Sequence, residues 1–130
     1  MTQDAGLDVS MKAVSVFIVD EAGSIVARGR VPTEPAAIAE FLAKKSGALV
    51  RVVHESGVLS TWLHRRLEGQ GLPVVCADAR QAHKGLSARL NKSDKADAEG
   101  LAQLARTGWY AEVHIRSESA DRLRTLIGAR

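Results

Sequence analysis

GLDVSMKAVSVFIVDEAGSIVARGRV, residues 6–31, reads as three consecutive strands. Gly6–Ser10 is a short, largely apolar candidate interrupted by Asp8, and Ala13–Val19 is rich in the β-branched side chains that favour extended backbone. Asp20–Ser24 (DEAGS) is a turn signal, so Ser24–Val31 returns as the second arm of a hairpin. Strands joined by turns this short run antiparallel.

Downstream the pattern alternates. Pro32 ends the third strand, Thr33 is a candidate N-cap, and Pro35 falls in the first turn of a helix carrying Ile38, Phe41 and Leu42 as far as Gly47. Val50–His54 is a short apolar strand closed by Glu55-Ser56-Gly57. Leu59, Trp62, Leu63 and Leu67 mark one face of a second helix, ended by Gly69 and Gly71. Pro73–Ala77 is a continuous apolar run of the kind buried in parallel sheets. From Ala79 onward the pattern is helical, with breaks near Asn91 and Gly108. The order β-β-β-α-β-α-β followed by helices predicts a mixed five-stranded α/β sheet flanked by helices, the strand order of the RNase H-like superfold. Actin-like kinases share that superfold, so fold alone does not decide function.

At 130 residues, the chain is long enough for one real core and too short for two. No apolar run approaches the roughly 20 residues of a membrane span, and the polar start MTQDAGLDVS is neither a secretory signal nor a transit peptide. The single cysteine, Cys76, cannot form an internal disulfide or a thiolate cage, which points to a reducing cytoplasm and a small buried hydrophobe. Net charge is +3, a mild lean toward anionic partners. Its placement is more telling: Arg80, His83, Lys84, Arg89, Lys92 and Lys95 crowd one short stretch, a solvated face on charge alone.

Four acids stand out by location. Asp8 interrupts an apolar strand, and Glu55 lies at the carboxyl end of another, where crevices open in parallel sheets. Asp94 and Asp97 precede Leu101 and Leu104 within about one quadrant of a helix, so a face that enters the core begins with two carboxylates. Singly each has a plain explanation: a strand end, a helix cap, or first-turn acids with Ser93 as N-cap. Jointly, four carboxylates at neighbouring strand ends repel unless cations neutralise them. Oxygen donors without a Cys or His cluster suit Mg²⁺ or Mn²⁺. Two such ions about 3.5–4 Å apart clamp the attacking and leaving oxygens of a phosphodiester. Arg89, Lys92 and Lys95 would then lie where a phosphate backbone needs them.

Taken in order, GLDVS, HESG, STWL, GLPVVCADAR, NKSDKADAEGLAQLARTGW and the closing arginine-rich helix resemble the DEDD-type insertion-sequence transposases. These are the IS-one-ten family, related to the Piv and MooV invertases, and the resemblance runs from about Gly6 to Arg130. It implies a RuvC-like catalytic domain that binds Mg²⁺ through Asp8, Glu55, Asp94 and Asp97, with Lys84, Arg89, Lys92 and Lys95 on nucleic acid. It further implies DNA cleavage and strand transfer in the cytoplasm of a bacterium or archaeon, at the nucleoid. The implied partners are DNA, a structured guide RNA of the element, further copies in a homo-oligomer, and a C-terminal domain that supplies a catalytic serine. Residues 1–116 would form the catalytic domain, and residues 117–130 the start of a helix leading into a coiled coil.

Other features are weaker. His54, His64, His83 and His114 show no ligand spacing and read as surface or satisfied polar groups. Trp62 belongs to a helix stripe and reads as core, while Trp109 and Tyr110 could cover a sheet edge or meet a partner. Gly23, Gly47 and Gly71 read as turn and cap glycines without phosphate-cradling spacing. Two other functions are compatible with the fold. One is a non-catalytic nucleic-acid-binding or dimerisation module with idle carboxylates. The other, a kinase-like ATPase, requires glycine directly after the first aspartate, where this chain has Val9 and Ser10.

Overall fold

A computed structural model of the chain describes residues 2–78 and 97–115. Three strands, β1 (Thr2–Val9), β2 (Ala13–Asp20) and β3 (Ile25–Pro32), form an antiparallel meander. Helix α1 (Pro35–Lys45) then carries the chain to β4 (Ala48–Glu55), which pairs in parallel with the free edge of β1. Helix α2 (Ser60–Gly69) leads to β5 (Val74–Ala77), parallel to β4. After the stretch 79–96, helix α3 (Ala98–Thr107) and the two-residue β6 (Glu112–Val113) complete the described chain. The strand order is β3-β2-β1-β4-β5-β6. The sheet therefore has six strands where the sequence predicts five, because β6 adds antiparallel to β5.

Strand alternation divides the core in two. Ala5 and Leu7 of β1, Val14, Val16 and Ile18 of β2, and Val52 of β4 meet Ile38 and Leu42 of α1 and Leu63 and Leu67 of α2. Both crossover helices thus cover one face. Phe17 and Val19 of β2 and Val53 of β4 point the other way, onto Ala98, Leu101, Ala102, Leu104 and Ala105 of α3. On that face β1 offers Gly6, and a Cβ built there would lie 2.3 Å from both Ala98 O and Ala102 N. The absence of a side chain lets the α3 backbone rest directly on the central strand.

Several local expectations change. The first strand begins at Thr2, since pairing with both β2 and β4 holds the polar Gln3 and Asp4 in the ladder. The N-cap of α1 is Glu34, whose side chain makes no capping bond; Thr33 Oγ1 instead donates to Ser10 O at 2.7 Å, tying the end of β3 to the β1–β2 turn. Trp62 is 41% exposed while Leu63 and Leu67 carry the buried stripe, so it is not core. Asp97 stands just before α3 as its N-cap, not within the helix. Leu101 and Leu104 are buried as expected, and Gly108 ends α3 in the left-handed region at φ 75°. The break near Asn91 and the final helix around residues 119–130 lie outside the described residues. Among the described residues, no helix is long and apolar enough to cross a membrane.

Candidate active site

The parallel pairing of β1 and β4 extends to Leu7 opposite His54, and the next residue on each strand is a carboxylate, Asp8 and Glu55. Both acids fall on the α3 side of the sheet, in phase with Gly6 and Val53. Beyond them the chain leaves each strand in a different direction, β1 into the Ser10–Met11 turn and β4 into Ser56–Gly57. The divergence opens a cleft of about 290 Å³ lined by Asp8, Glu55, Ser10, Ser56, Met11 and Val58, among others. Such crevices at the carboxyl ends of parallel strands are where α/β sheets place ligands.

Asp97 reaches the same end of the sheet by another route. Helix α3 runs from the Gly6 region back toward the start of the strands. Near its end, Arg51 Nη1 of β4 donates to Ala105 O and to Tyr110 Oη, each at 3.2 Å, and Arg106 Nη1 donates to Glu21 O. Its first residue is therefore at the carboxylate edge. Asp97 is exposed, and its Oδ1 accepts from Gly100 N–H at 2.8 Å, an N-cap bond at the positive end of the helix. One carboxylate oxygen is engaged and the other is left for a second partner.

Asp8 and Glu55 thus share one cleft. Among the described residues no group of three or more His, Cys, Asp or Glu side chains is placed to hold a metal ion. Asp94 and the cations Lys84, Arg89, Lys92 and Lys95 lie outside the described residues.

One polar constellation escaped the sequence reading. His54, on the opposite side of β4 from Glu55, is completely buried, and its Nε2 lies 3.0 Å from Nδ1 of His64 on α2. The rings are 5.3 Å apart and tilted by 53°. Burial pushes the His54 pKa down to about 4, helped by the charge His64 would carry and opposed by the Glu55 backbone. Burial also lowers that of His64, against the pull of Glu68 and Glu112. One ring must donate and the other accept, so the two rings cannot both be protonated while the contact holds. The detectable signal was positional: His54 alternates with Val52 onto the α2 side, and His64 shares the stripe of Leu63 and Leu67.

Asp4 is the one buried acid among the described residues, at the opposite end of β1 from Asp8. Burial raises its pKa, with the positive charges of Arg51 and Arg106 opposing the shift. Its neighbours are structural arginines near the end of α3, which separates it from the Asp8–Glu55 cleft. Cys76 is fully buried, and burial pushes its thiol up to about 11, in keeping with a small core residue.

A family model described as a transposase, the DEDD type of IS110 elements, matches residues 5–130. A comparison with curated proteins returned no match. Among solved structures, Thermus thermophilus RuvC in complex with Holliday junction substrate superposes with a TM-score of 0.60 at 16% identity, covering 87% of this chain and 100% of that one. A second structure of RuvC from the same organism gives 0.59 at 15%, covering 85% and 99%. A hexokinase of the ROK type from Thermus thermophilus gives 0.50 at 17%, covering 71% of this chain and 39% of that one. The fold is RuvC-like, and the kinase likeness reflects the superfold that both share.

Proposed function

The chain belongs to the DEDD transposase family of IS110 elements, and from that premise we propose that it is the catalytic domain in which Asp8, Glu55, Asp94 and Asp97 act together on a DNA phosphodiester. The observation that carries this reading is the shared cleft of Asp8 and Glu55, at the strand ends toward which α3 delivers Asp97. The family implies DNA transposase activity; the assignment of four residues and two ions goes further and rests on the chemistry of that cleft.

The donor set suits a hard divalent cation such as Mg²⁺ or Mn²⁺. Asp8 and Glu55 offer oxygen ligands on adjacent strands, and the one imidazole bordering the cleft among the described residues, His54, is engaged through Nε2 with His64. When bound, such ions supply charge neutralisation at the scissile phosphate and ease ionisation of the attacking oxygen. The chain's own part is positional. Asp8 and Glu55 ride on strands anchored at the sheet centre, so their spacing is set by the β1–β4 ladder, not by mobile loops. Asp97 is oriented by its bond to Gly100, and Asp94 lies three residues before it in sequence. Lys84, Arg89, Lys92 and Lys95 are assigned to the phosphate backbone. DNA is the substrate, and a structured RNA, a serine-bearing C-terminal domain and further copies of the protein are the proposed partners.

The test uses the full-length transposase with Mg²⁺ and a DNA carrying the element's ends. Asp8→Asn and Glu55→Gln, each made separately, are expected to reduce cleavage to background while DNA binding persists. Cleavage at the unmodified rate in either variant would remove that carboxylate from the site. Full activity in both would leave a nucleic-acid-binding module with idle carboxylates.

A further inference from the structure

The candidate cleft has a positively charged flank that none of the assigned residues explains. Ser15 of β2 is paired with Asp8 of β1 on one side and with Arg30 of β3 on the other, and Phe17 is paired with Arg28. Directly opposed residues of antiparallel strands project from the same face. Arg30, Ser15 and Asp8 therefore form one row across the sheet, with Arg30 two strands, about 10 Å, from Asp8. Arg28 stands one pleat further along the same strand, roughly 6.8 Å away.

Both arginines are exposed, and neither makes an ion pair among the described residues. The face they occupy is the one that holds the catalytic carboxylates. Their neighbours Ala27, Gly29 and Val31 turn the other way, toward α1, with Phe41 seated on Gly29. Helix α3 packs on β1, β2 and β4, so the outer strand carries its arginines beside the helix and not beneath it. Arg28 is braced by the ring of Phe17, 5.9 Å from its guanidinium carbon, which holds its charge above the sheet. Lys12, also exposed and likewise free of any ion pair among the described residues, sits in the β1–β2 turn that Thr33 ties to the end of β3.

We propose that Arg28 and Arg30 form a track for the sugar–phosphate backbone of DNA, leading across β3 and β2 to the Asp8–Glu55 cleft. The spacing suits neighbouring phosphates of one strand, and guanidinium is the side chain best matched to phosphate oxygens. This inference rests on the transposase reading for the identity of the polyanion. The competing role for the pair is to blunt an outer sheet edge against self-association.

The experiment measures binding of the chain to a random-sequence duplex in EDTA over a range of KCl, so that no metal contributes. Arg28→Gln/Arg30→Gln is compared with a charge-matched control on the far side of the sheet, Lys45→Gln/Arg66→Gln. The track predicts that the slope of log K against log salt becomes shallower by about 1.8 in the first pair and stays nearer the unmodified value in the second. Arg30→Gln alone is expected to remove about half of that, and because Arg30 is exposed and makes no hydrogen bond or ion pair among the described residues, its fold is not at stake. Equal slopes in the two double variants, or self-association with an unchanged slope, would overturn the track and leave the arginines guarding the edge. Absence of DNA binding by the unmodified chain would also overturn it, while cleavage by the full-length carboxylate variants judges the transposase reading separately.

Discussion

Replacing Gly6 with alanine tests whether α3 is seated where the proposed active site needs it. A Cβ at this position would lie 2.3 Å from Ala98 O, 2.3 Å from Ala102 N and 2.8 Å from the Leu101 carbonyl carbon. All three are backbone atoms, so no rotamer change can make room. To restore ordinary contact at 3.4 Å the helix must retreat by about 1.1 Å. A gap of that size forfeits a quarter to a half of each dispersion contact across it, and the interface includes Val53, Phe17, Val19, Leu101, Leu104 and Ala105. Overpacking of this kind costs about 1–3 kcal/mol. Because rigid backbone meets rigid backbone, about 3 kcal/mol is expected here, or roughly 10 °C in Tm for a domain of this size. Urea titration and thermal melting followed by circular dichroism measure it. Gly57→Ala is the control, since a Cβ there meets nothing within 4 Å. Equal stability of the Gly6 and Gly57 variants would refute the seating of α3 on β1, and with it the delivery of Asp97 to the carboxylate edge.

Three further outcomes follow from particular contacts. Asp97→Ala removes the cap on Gly100 N–H and is expected to cost about 1 kcal/mol. Asp97→Asn keeps a capping oxygen, so it leaves stability nearly unchanged yet abolishes metal-dependent cleavage in the full-length protein; retained cleavage would reduce Asp97 to a cap. The His54 pKa, pushed down to about 4 by burial, makes stability pH-dependent. Its folded value lies below the unfolded value near 6.5, so the unfolded chain takes up the proton first. Stability is full above about pH 6.5 and falls toward pH 4, by at most about 3 kcal/mol. The urea midpoint should drop across that window, and a His54→Leu variant should show a smaller drop; identical profiles would exclude His54 as the source. Cys76, buried with its thiol pushed up to about 11, is expected to resist maleimide at pH 7.5 until the chain unfolds, as mass spectrometry would show. Rapid labelling of the native chain would contradict its burial.

Much of this architecture was legible because it depends on period and punctuation. The hairpin of Ala13–Val19 and Ser24–Val31, the crossover helices and the buried β4 and β5 all carry local signals of strand or helix. What escaped depends on tertiary pairing. Glu112 and Val113 are too few to show any period and become a strand only through the Cys76 and Ala77 backbone. Thr33 has the right side chain for a cap, but the β1–β2 turn presents Ser10 O to it instead. Trp62 fits the apolar stripe by spacing, yet Leu63, His64 and Leu67 take the buried positions. The His54–His64 pair is ten residues apart in sequence and visible only once α2 lies on β4. Asp8 and Glu55 were legible as a pair because parallel β1–β4 pairing follows from the element order; the helical phase that put Asp97 among the core leucines missed that the helix starts one residue after it.

The most direct test is anomalous diffraction from crystals of the chain bound to DNA and soaked in Mn²⁺. Peaks are expected in the cleft bounded by Asp8 and Glu55, with Asp94 and Asp97 completing the ligand set. A saturating soak that leaves the cleft without a peak, with Asp8 and Glu55 both facing ordered DNA, would contradict that assignment.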